Sequence, residues 1–276
     1  MHRFLPGTDD KTAHGWRPRV ASRMGGMING YTAEQVRAAE APLLAAGIPL
    51  MAQAAAGLAR EIRTLLPDAG GRVLVLAGSG NNGGDALYAG AELAAGGADV
   101  SIIQAGSRVH EPALAAAIAA GAHCEPAEDA ARLAMSADVV VDGILGTGTS
   151  ANPALRGGVR DVVTAIRSVL GAPRHPLVVA VDIPSGINPN DGSVPPSGAS
   201  GTGAVLPADV TVTFGGYKAG LLLPPASRLA GRVVLVDIGL GPELAKLEPT
   251  IRLPDGEPRP APMRAGKTGS NELPPS

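Results

Sequence analysis

The sequence contains very little cysteine and few aromatic residues. Cys124 is its only cysteine, which excludes an internal disulfide and any cysteine-based zinc cluster. We therefore expect a buried thiol in a protein of a reducing, cytoplasmic compartment. Phe, Trp and Tyr supply only 2% of the residues, so a platform that stacks bases on aromatic rings is hard to build. Any bound nucleotide must be held mostly by backbone and aliphatic contacts.

The chain also lacks a surplus of charge of either sign. Its 23 Lys and Arg residues nearly balance its 25 Asp and Glu residues, which leaves a net charge of −2. Phosphate backbones and anionic lipid surfaces normally attract a basic surplus, so neither nucleic acid nor a membrane is an expected partner. The histidines form no HxxxH or HExxH spacing, which gives a transition-metal site no local support.

The two ends of the chain differ in composition from its middle. Residues 1–26 are polar and mixed in charge, which predicts a disordered or mis-assigned N-terminal extension. Residues 253–276 are rich in proline, glycine and charge, which predicts a disordered C-terminal tail. Residues 27–252 then form one domain. The uncharged run at 41–59 is interrupted by proline and glycine and indicates a buried helix pair or a subunit interface.

Short apolar runs alternate with helical stretches through this domain. The runs predict strands at 73–76, 100–103, 139–141, 177–181, 210–213 and 233–236. Helices are predicted between them at 84–95, 111–120, 128–135 and 158–170, after two helices that are broken near 47–49. The strands are apolar throughout, as strands covered on both faces should be. The order predicts a three-layer α/β fold, with a Rossmann-like, doubly wound and mostly parallel sheet between helices.

Polar, glycine-rich segments directly follow four of these strands. They are GSGNNGGD at 78–85, DGILGTG at 142–148, DIPSG at 182–186 and FGGYK at 214–218. All four must lie at the carboxyl edge of a parallel sheet, where ligands bind in open α/β folds. Their convergence predicts a binding crevice more strongly than any one of them does.

The segment at 78–85 satisfies GxGxxG between a strand and a helix, where free N–H groups can meet a phosphate. A nicotinamide-dependent dehydrogenase would also need an acidic residue at the end of the second strand to hold the ribose hydroxyls. Gln104 follows that strand, and Asp99 precedes it. An oxidoreductase is therefore disfavoured.

Each candidate residue also has a purely structural explanation. Isolated glycines often serve only a tight turn, and Asp142 and Asp182 could cap the turns that follow their strands. Lys218 could equally be a solvated surface lysine. The amides and the carboxylate of NNGGD are harder to explain in this way, because a helix N-terminus needs only one cap. Together these residues favour a site.

These segments resemble a known family, the NAD(P)H-hydrate epimerases, also called YjeF N-terminal domain proteins. The similar stretches are VLVLAGSGNNGGDALYAG, VVVDGILGTG, VVAVDIPSGIN, ADVTVTFGGYKAGLLL and AGRVVLVDIGL, in the family's order between about residues 27 and 241. NNGGD together with VDIPSG at this separation is highly specific. The resemblance implies an isomerase of nicotinamide-nucleotide repair that interconverts the R and S epimers of NADHX and NADPHX, the hydrated forms of NADH and NADPH.

The resemblance also implies a set of site residues and a bound potassium ion. The metal residues would be Asn82, Asp142 and Ser185, all of which are oxygen donors. The substrate-binding residues would be Asn81, Asn82, Gly83, Gly84, Asp85, Gly146, Thr147, Gly148, Thr149, Ser150, Ala151, Asn152 and Asp182. Asp182 is the first candidate for a general acid/base, and Lys218 matches the family's lysine and could be a second acid or bind a phosphate.

The resemblance implies partners as well. We expect a homodimer. Residues 253–276 leave no room for the NAD(P)HX dehydratase domain of many bacterial relatives, so the dehydratase is expected on a separate chain or was lost by truncation. One departure from the family is Gly216-Tyr217, which stands where an alanine and a proline usually precede the lysine. The alternative function is a non-catalytic nucleotide- or protein-binding scaffold on the same fold. Intact NNGGD and both aspartates favour the enzyme.

Overall fold

The fold is given by a computed structural model that describes residues 26–67, 70–148, 153–195 and 204–254. The strands are β1 (Met27–Tyr31), β2 (Arg72–Ala77), β3 (Asp99–Gln104), β4 (His123–Cys124), β5 (Val139–Gly143), β6 (Leu177–Val181), β7 (Val210–Phe214), β8 (Tyr217–Lys218), β9 (Arg232–Val236) and β10 (Ile251–Pro254). The α-helices are α1 (Ala33–Ala45), α2 (Leu50–Arg63), α3 (Asn81–Ala95), α4 (Glu111–Ala119), α5 (Ala130–Ser136), α6 (Gly157–Val169), α7 (Ala219–Leu222) and α8 (Gly241–Leu244). The extension and the tail expected at the chain ends lie outside the described residues, apart from residues 26, 253 and 254.

The main sheet has seven strands in the order β4-β3-β2-β5-β6-β7-β9. All neighbours in it are parallel; Val75 of β2, for example, lies opposite Ile102 on one side and Val141 on the other. The chain leaves β2 towards β3 and β4 and then returns to β5 on the other side of β2. The predicted doubly wound α/β sheet is confirmed. Such a switch point opens a crevice at the carboxyl ends of the two central strands.

The sheet separates two apolar cores, because successive side chains of a strand point to opposite faces. Val73 and Val75 of β2 join the core that α2, α3 and α4 cover, whereas Leu74 and Leu76 join the core that α5 and α6 cover. All four side chains are buried. The helices therefore form one layer on each face, as the three-layer prediction requires.

A second, three-stranded sheet in the order β10-β1-β8 is a feature that the sequence patterns do not predict. Its central strand β1, MINGY, contains asparagine and glycine, which are poor strand formers. β1 pairs with β10 in antiparallel and with β8 in parallel fashion. Leu253 and Pro254 belong to β10, so this strand runs two residues past the expected domain boundary at 252.

Two further features concern the edges of the molecule. Cys124 is exposed rather than buried, because it lies in the two-residue edge strand β4. The expected helix pair is present as α1 and α2, with a capping box at Thr32 and Gln35, but residues 41–49 are largely exposed rather than buried. Within the described residues no single helix meets the length and hydropathy of a membrane span; α1 and α2 meet them only as a pair bent by 116°.

Candidate active site

A cleft of about 790 Å³ opens at the switch point of the main sheet. The segments predicted to converge there do so, each through residues that follow a strand. From the sequence-predicted set, the cleft is lined by Asn81, Asn82, Asp85, Gly146, Thr147, Gly148, Asp182 and Lys218. Thr149, Ser150, Ala151 and Asn152 lie outside the described residues.

The NNGGD segment forms the first turn of α3. Gly80 is the N-cap residue, and no side chain caps the helix. Neither asparagine therefore serves as the cap of this helix. Asn81 is exposed at the cleft, whereas Asn82 is buried and its Nδ2 donates to the carbonyl oxygen of Leu145 at 3.1 Å.

The glycines of this segment permit close contact between backbones. A Cβ atom at Gly78 would lie 1.8 Å from the carbonyl oxygen of Ile144, and one at Gly83 would lie 2.1 Å from that of Gly78. Neither glycine has a positive φ, so the turn itself does not require them. Gly83 and Gly84 are buried behind the cleft rather than among the residues that line it, and Gly84 faces His110.

The three sequence-predicted metal residues meet around Leu145. Asp142 is fully buried, and its two carboxylate oxygens accept from the hydroxyl of Ser185 at 2.6 Å and from its backbone N–H at 2.8 Å. Ser185 Oγ in turn accepts from the N–H of Leu145 at 2.8 Å. A Cβ at Gly146 would lie 2.9 Å from Asn82 Oδ1, which places that amide oxygen against the same loop.

The chemistry of these donors suits a hard monovalent cation. They are an amide, a carboxylate, a hydroxyl and a backbone carbonyl oxygen, with no nitrogen or sulfur ligand among them. Burial raises the pKa of Asp142, and the hydrogen bonds from Ser185 and Ile144 oppose that rise. Among the described residues no lysine or arginine pairs with Asp142, so a bound cation would compensate a buried charge that is otherwise costly.

Asp182 and Lys218 form a buried ion pair at the floor of the cleft. Asp182 has a φ of 64°, the left-handed region that non-glycine residues rarely adopt. Its Oδ1 accepts from Lys218 Nζ, from the hydroxyl of Thr213 at 3.1 Å and from the N–H of Phe214 at 3.4 Å. Strain at such a position persists only where the surroundings enforce it.

Lys218 is 1% exposed, so the alternative of a solvated surface lysine is wrong. Besides Asp182, its ammonium group donates to Thr213 Oγ1 at 3.2 Å and to the carbonyl oxygen of Phe214 at 2.9 Å. An ammonium has three donors, and protein groups occupy all of them. This geometry favours a lysine that holds Asp182 over one that binds a phosphate.

Asp85 is the second buried carboxyl group that lines the cleft. It is 9% exposed, and its Oδ1 has no hydrogen-bond partner among the described residues. Burial, together with the negative charges of Asp182 and Glu40, raises the pKa of Asp85 to about 8, although Lys218 acts in the opposite direction.

Two residues that sequence reasoning missed are Arg37 and Glu40 of α1. Both line the cleft, and Arg37 Nη1 donates to the carbonyl oxygen of Thr147 at 2.9 Å, which ties α1 to the loop after β5. Burial raises the pKa of Glu40, with Lys218 opposing that rise. The sequence does contain a signal for this pair, because their three-residue spacing places both side chains on one helix face just before an uncharged stretch.

Comparison with known proteins shows the family of this chain. The family model of the YjeF-related protein N-terminus matches residues 47–220. The chain belongs to this family. A crystal structure of yeast ynu0, YNL200c shares its fold, with a TM-score of 0.60 and 18% identity over 75% of this chain and 87% of that one.

Two named proteins show how the YjeF-related region occurs in longer and shorter relatives. An NAD(P)H-hydrate epimerase of Clavibacter michiganensis subsp. michiganensis is 54% identical over 231 residues, which cover 82% of this chain and 96% of that protein. A bifunctional NAD(P)H-hydrate repair enzyme Nnr of Mycobacterium tuberculosis is 41% identical over 225 residues, which cover 78% of this chain but only 42% of that protein.

The close backbone contact at Gly83 yields a prediction for this YjeF-related protein. Gly83→Ala should lower the free energy of unfolding by about 1–3 kcal/mol, because the added methyl group overpacks against the backbone of Gly78. Gly90→Ala is the matched control in the same helix, since its Cβ would be 3.4 Å from the nearest atom. It should be neutral or stabilising by up to about 1 kcal/mol. Urea denaturation measures both, and equal effects would contradict the packing argument.

The raised pKa of Asp85 predicts a pH-dependent stability. The folded protein binds this proton more tightly than the unfolded chain, where the pKa is near 3.8, so the stabilisation is complete below about pH 4 and is lost as the pH rises to about 8. Asp85→Asn should therefore gain stability relative to the wild type between pH 5 and 8, by at most about 1.4 kcal/mol per pH unit. Urea denaturation at pH 5, 6.5 and 8 tests this. Asp161→Asn, at a carboxylate that is 71% exposed, is the control; the same pH dependence in Asp85→Asn and the wild type would refute the prediction.

Proposed function

We propose that this protein is an NAD(P)H-hydrate epimerase, an isomerase that interconverts the R and S epimers of NADHX and NADPHX. The observation that carries the proposal is the buried Asp182–Lys218 pair at the floor of a cleft whose wall is the NNGGD turn of α3. The name of the 54% identical Clavibacter relative supports the same activity.

The cleft has the size and the polarity that a dinucleotide substrate requires. Its volume of about 790 Å³ lies within the range of about 300–1,000 Å³ that is usual for small-molecule sites. We propose that residues 81–85 and 146–152 bind the diphosphate and ribose, because N–H groups at a helix start and in a glycine loop attract anions. The apolar side chains of Leu50, Met51 and Phe214 offer contacts to the altered ring.

Epimerisation requires that the hydroxyl group leave one face of a ring carbon and that water return to the other face. The ring nitrogen can supply the electron pair that the carbon loses, and protons must be given and taken at the oxygen. We propose Asp182 as a general acid/base in these steps. Lys218 fixes its carboxylate and balances its charge, which accounts for the burial of both groups.

We also propose that potassium binds where Asn82, Asp142 and Ser185 meet the Leu145 carbonyl. The ion would balance the buried charge of Asp142 and fix the loop at 144–148 that lines the cleft. This use of oxygen ligands is typical of hard cations.

Partners follow from the reaction. A dehydratase that consumes one epimer makes the interconversion productive, and we propose such a dehydratase as the functional partner. The bifunctional Mycobacterium relative, of which this chain matches 42%, supports a link between the two activities. We propose a homodimer because the apolar side chains of Leu44 and Ile48 are exposed. We propose a cytoplasmic location because the sequence has a single cysteine.

The activity is tested with purified R hydrate and a dehydratase that consumes only the S form. The wild type should accelerate consumption of the R form above its spontaneous rate. Asp182→Asn should lower that acceleration by at least about 100-fold, because it removes a proton-transfer group. The exposed Asp161→Asn should keep it. No acceleration by the folded wild type would refute the epimerase and leave the non-catalytic scaffold.

The potassium site is tested by melting temperature in KCl against choline chloride at equal ionic strength. An ion that binds only the folded state should raise the melting temperature, by about 2–4 °C for each kcal/mol of binding free energy. Asp142→Asn should lose this difference, whereas Asp161→Asn should keep it. Equal melting temperatures of the wild type in the two salts would contradict the site.

A further inference from the structure

We infer that Asp85 is a catalytic acid that gives its proton to the departing hydroxyl group, with Glu40 of α1 as its positioning residue. The inference rests on the proposed epimerisation and assigns to Asp85 a role beyond substrate binding. Asp182 then serves as the complementary base.

The two aspartates line the same cleft but have opposite surroundings. The Oδ1 atom of Asp182 accepts from Lys218, Thr213 and the Phe214 backbone, a set of donors that suits an ionised carboxylate. Asp85 Oδ1 is buried and has no donor among the described residues. A protonated carboxyl group tolerates such a position far better than an ionised one. Two carboxyl groups in contrasting environments are a recurring arrangement of acid and base in active sites.

The charges around Asp85 point the same way. Glu40 of α1, Asp182 of the turn after β6 and Lys218 of β8 line the same cleft as Asp85, and their charges act on it. Lys218 is the one cation in this group, and it is bound directly to Asp182. Glu40 and Asp182 therefore repel the ionised form of Asp85, and burial adds to the effect, so that its pKa is raised to about 8. Arg37 acts on Glu40, because its positive charge opposes the rise in the pKa of Glu40.

The reaction needs no oxidant, reductant or other reagent besides water. The Asp85 proton moves to the hydroxyl oxygen, the carbon–oxygen bond breaks with its electron pair on oxygen, and water leaves. The ring nitrogen shares its lone pair with the carbon, which gives a carbon–nitrogen double bond. Water then adds to the opposite face, that electron pair returns to nitrogen, and the Asp182 carboxylate takes the released proton. Proton exchange with solvent restores both groups.

Glu40 acts through charge. Its removal leaves one negative group fewer beside Asp85, so Asp85 should lose its proton at a lower pH. Glu34, an exposed carboxylate in the first turn of the same helix, is the matched control.

The experiment measures kcat/KM of the coupled epimerase assay between pH 6 and 9.5, because this ratio reports groups of the free enzyme. The wild type should lose activity above about pH 8, as Asp85 ionises. Asp85→Asn should fall by at least about 100-fold, and its remaining rate should lack this alkaline decline. Glu40→Gln should move the decline to lower pH by at least about half a unit, and Glu34→Gln should not.

Wild-type activity with an unchanged alkaline decline in Asp85→Asn would overturn the inference. Circular dichroism establishes that each variant is folded. If Asp85→Asn does not fold, ¹³C NMR titration of the wild-type Asp85 carboxyl decides instead: a pKa near 8 supports the inference, and one below about 6 overturns it. A wild type without epimerase activity would refute the proposed function itself, whereas loss of the Asp85 effect in an active enzyme refutes only this role.

Discussion

The contact between the turns that follow β2 and β5 is the constraint on which the site depends. The Gly78 N–H donates to the carbonyl oxygen of Gly143 at 3.1 Å, and the two backbones are too close for any side chain at Gly78. The ends of the two central strands are thereby joined at the switch point of the sheet. The start of α3, the cleft and the oxygen donors around Leu145 all adjoin this joint. Separation of the turns would dismantle both.

Several residues in and beside the cleft lower the stability of the folded protein. Asp182 has a left-handed backbone, Asp85 has a buried oxygen without a donor, and Asp142 is fully buried without a lysine or arginine partner in the described part of the chain. The two apolar cores on either face of the sheet offset these costs. Functional sites often oppose stability in this way, because reactive groups must be taken out of water before their environment can tune them.

Most of the main sheet could be predicted, because strands covered on both faces are apolar and β-branched throughout. The strand at 177–181 has its predicted bounds, and the placement of Asp142 and Asp182 at the carboxyl edge follows from parallel order alone. β1 could not be predicted, since its sequence is a poor strand former and its partners are remote along the chain. The burial of Lys218 and the approach of Glu40 to the cleft escaped for a related reason. Both depend on how distant elements pack; the spacing of Arg37 and Glu40 indicates a shared helix face but not that this face reaches the cleft.

The three-stranded sheet β10-β1-β8 has a consequence for local unfolding. β8, which carries Lys218, pairs with β1 from the start of the domain, and β1 pairs on its other side with β10 from the end of the domain. Fraying normally begins at such outlying strands, because few contacts retain them. Local opening of β1 would therefore remove the strand that pairs with Lys218 at the floor of the cleft. The buried ion pair thus depends on the three-stranded sheet as well as on the parallel sheet.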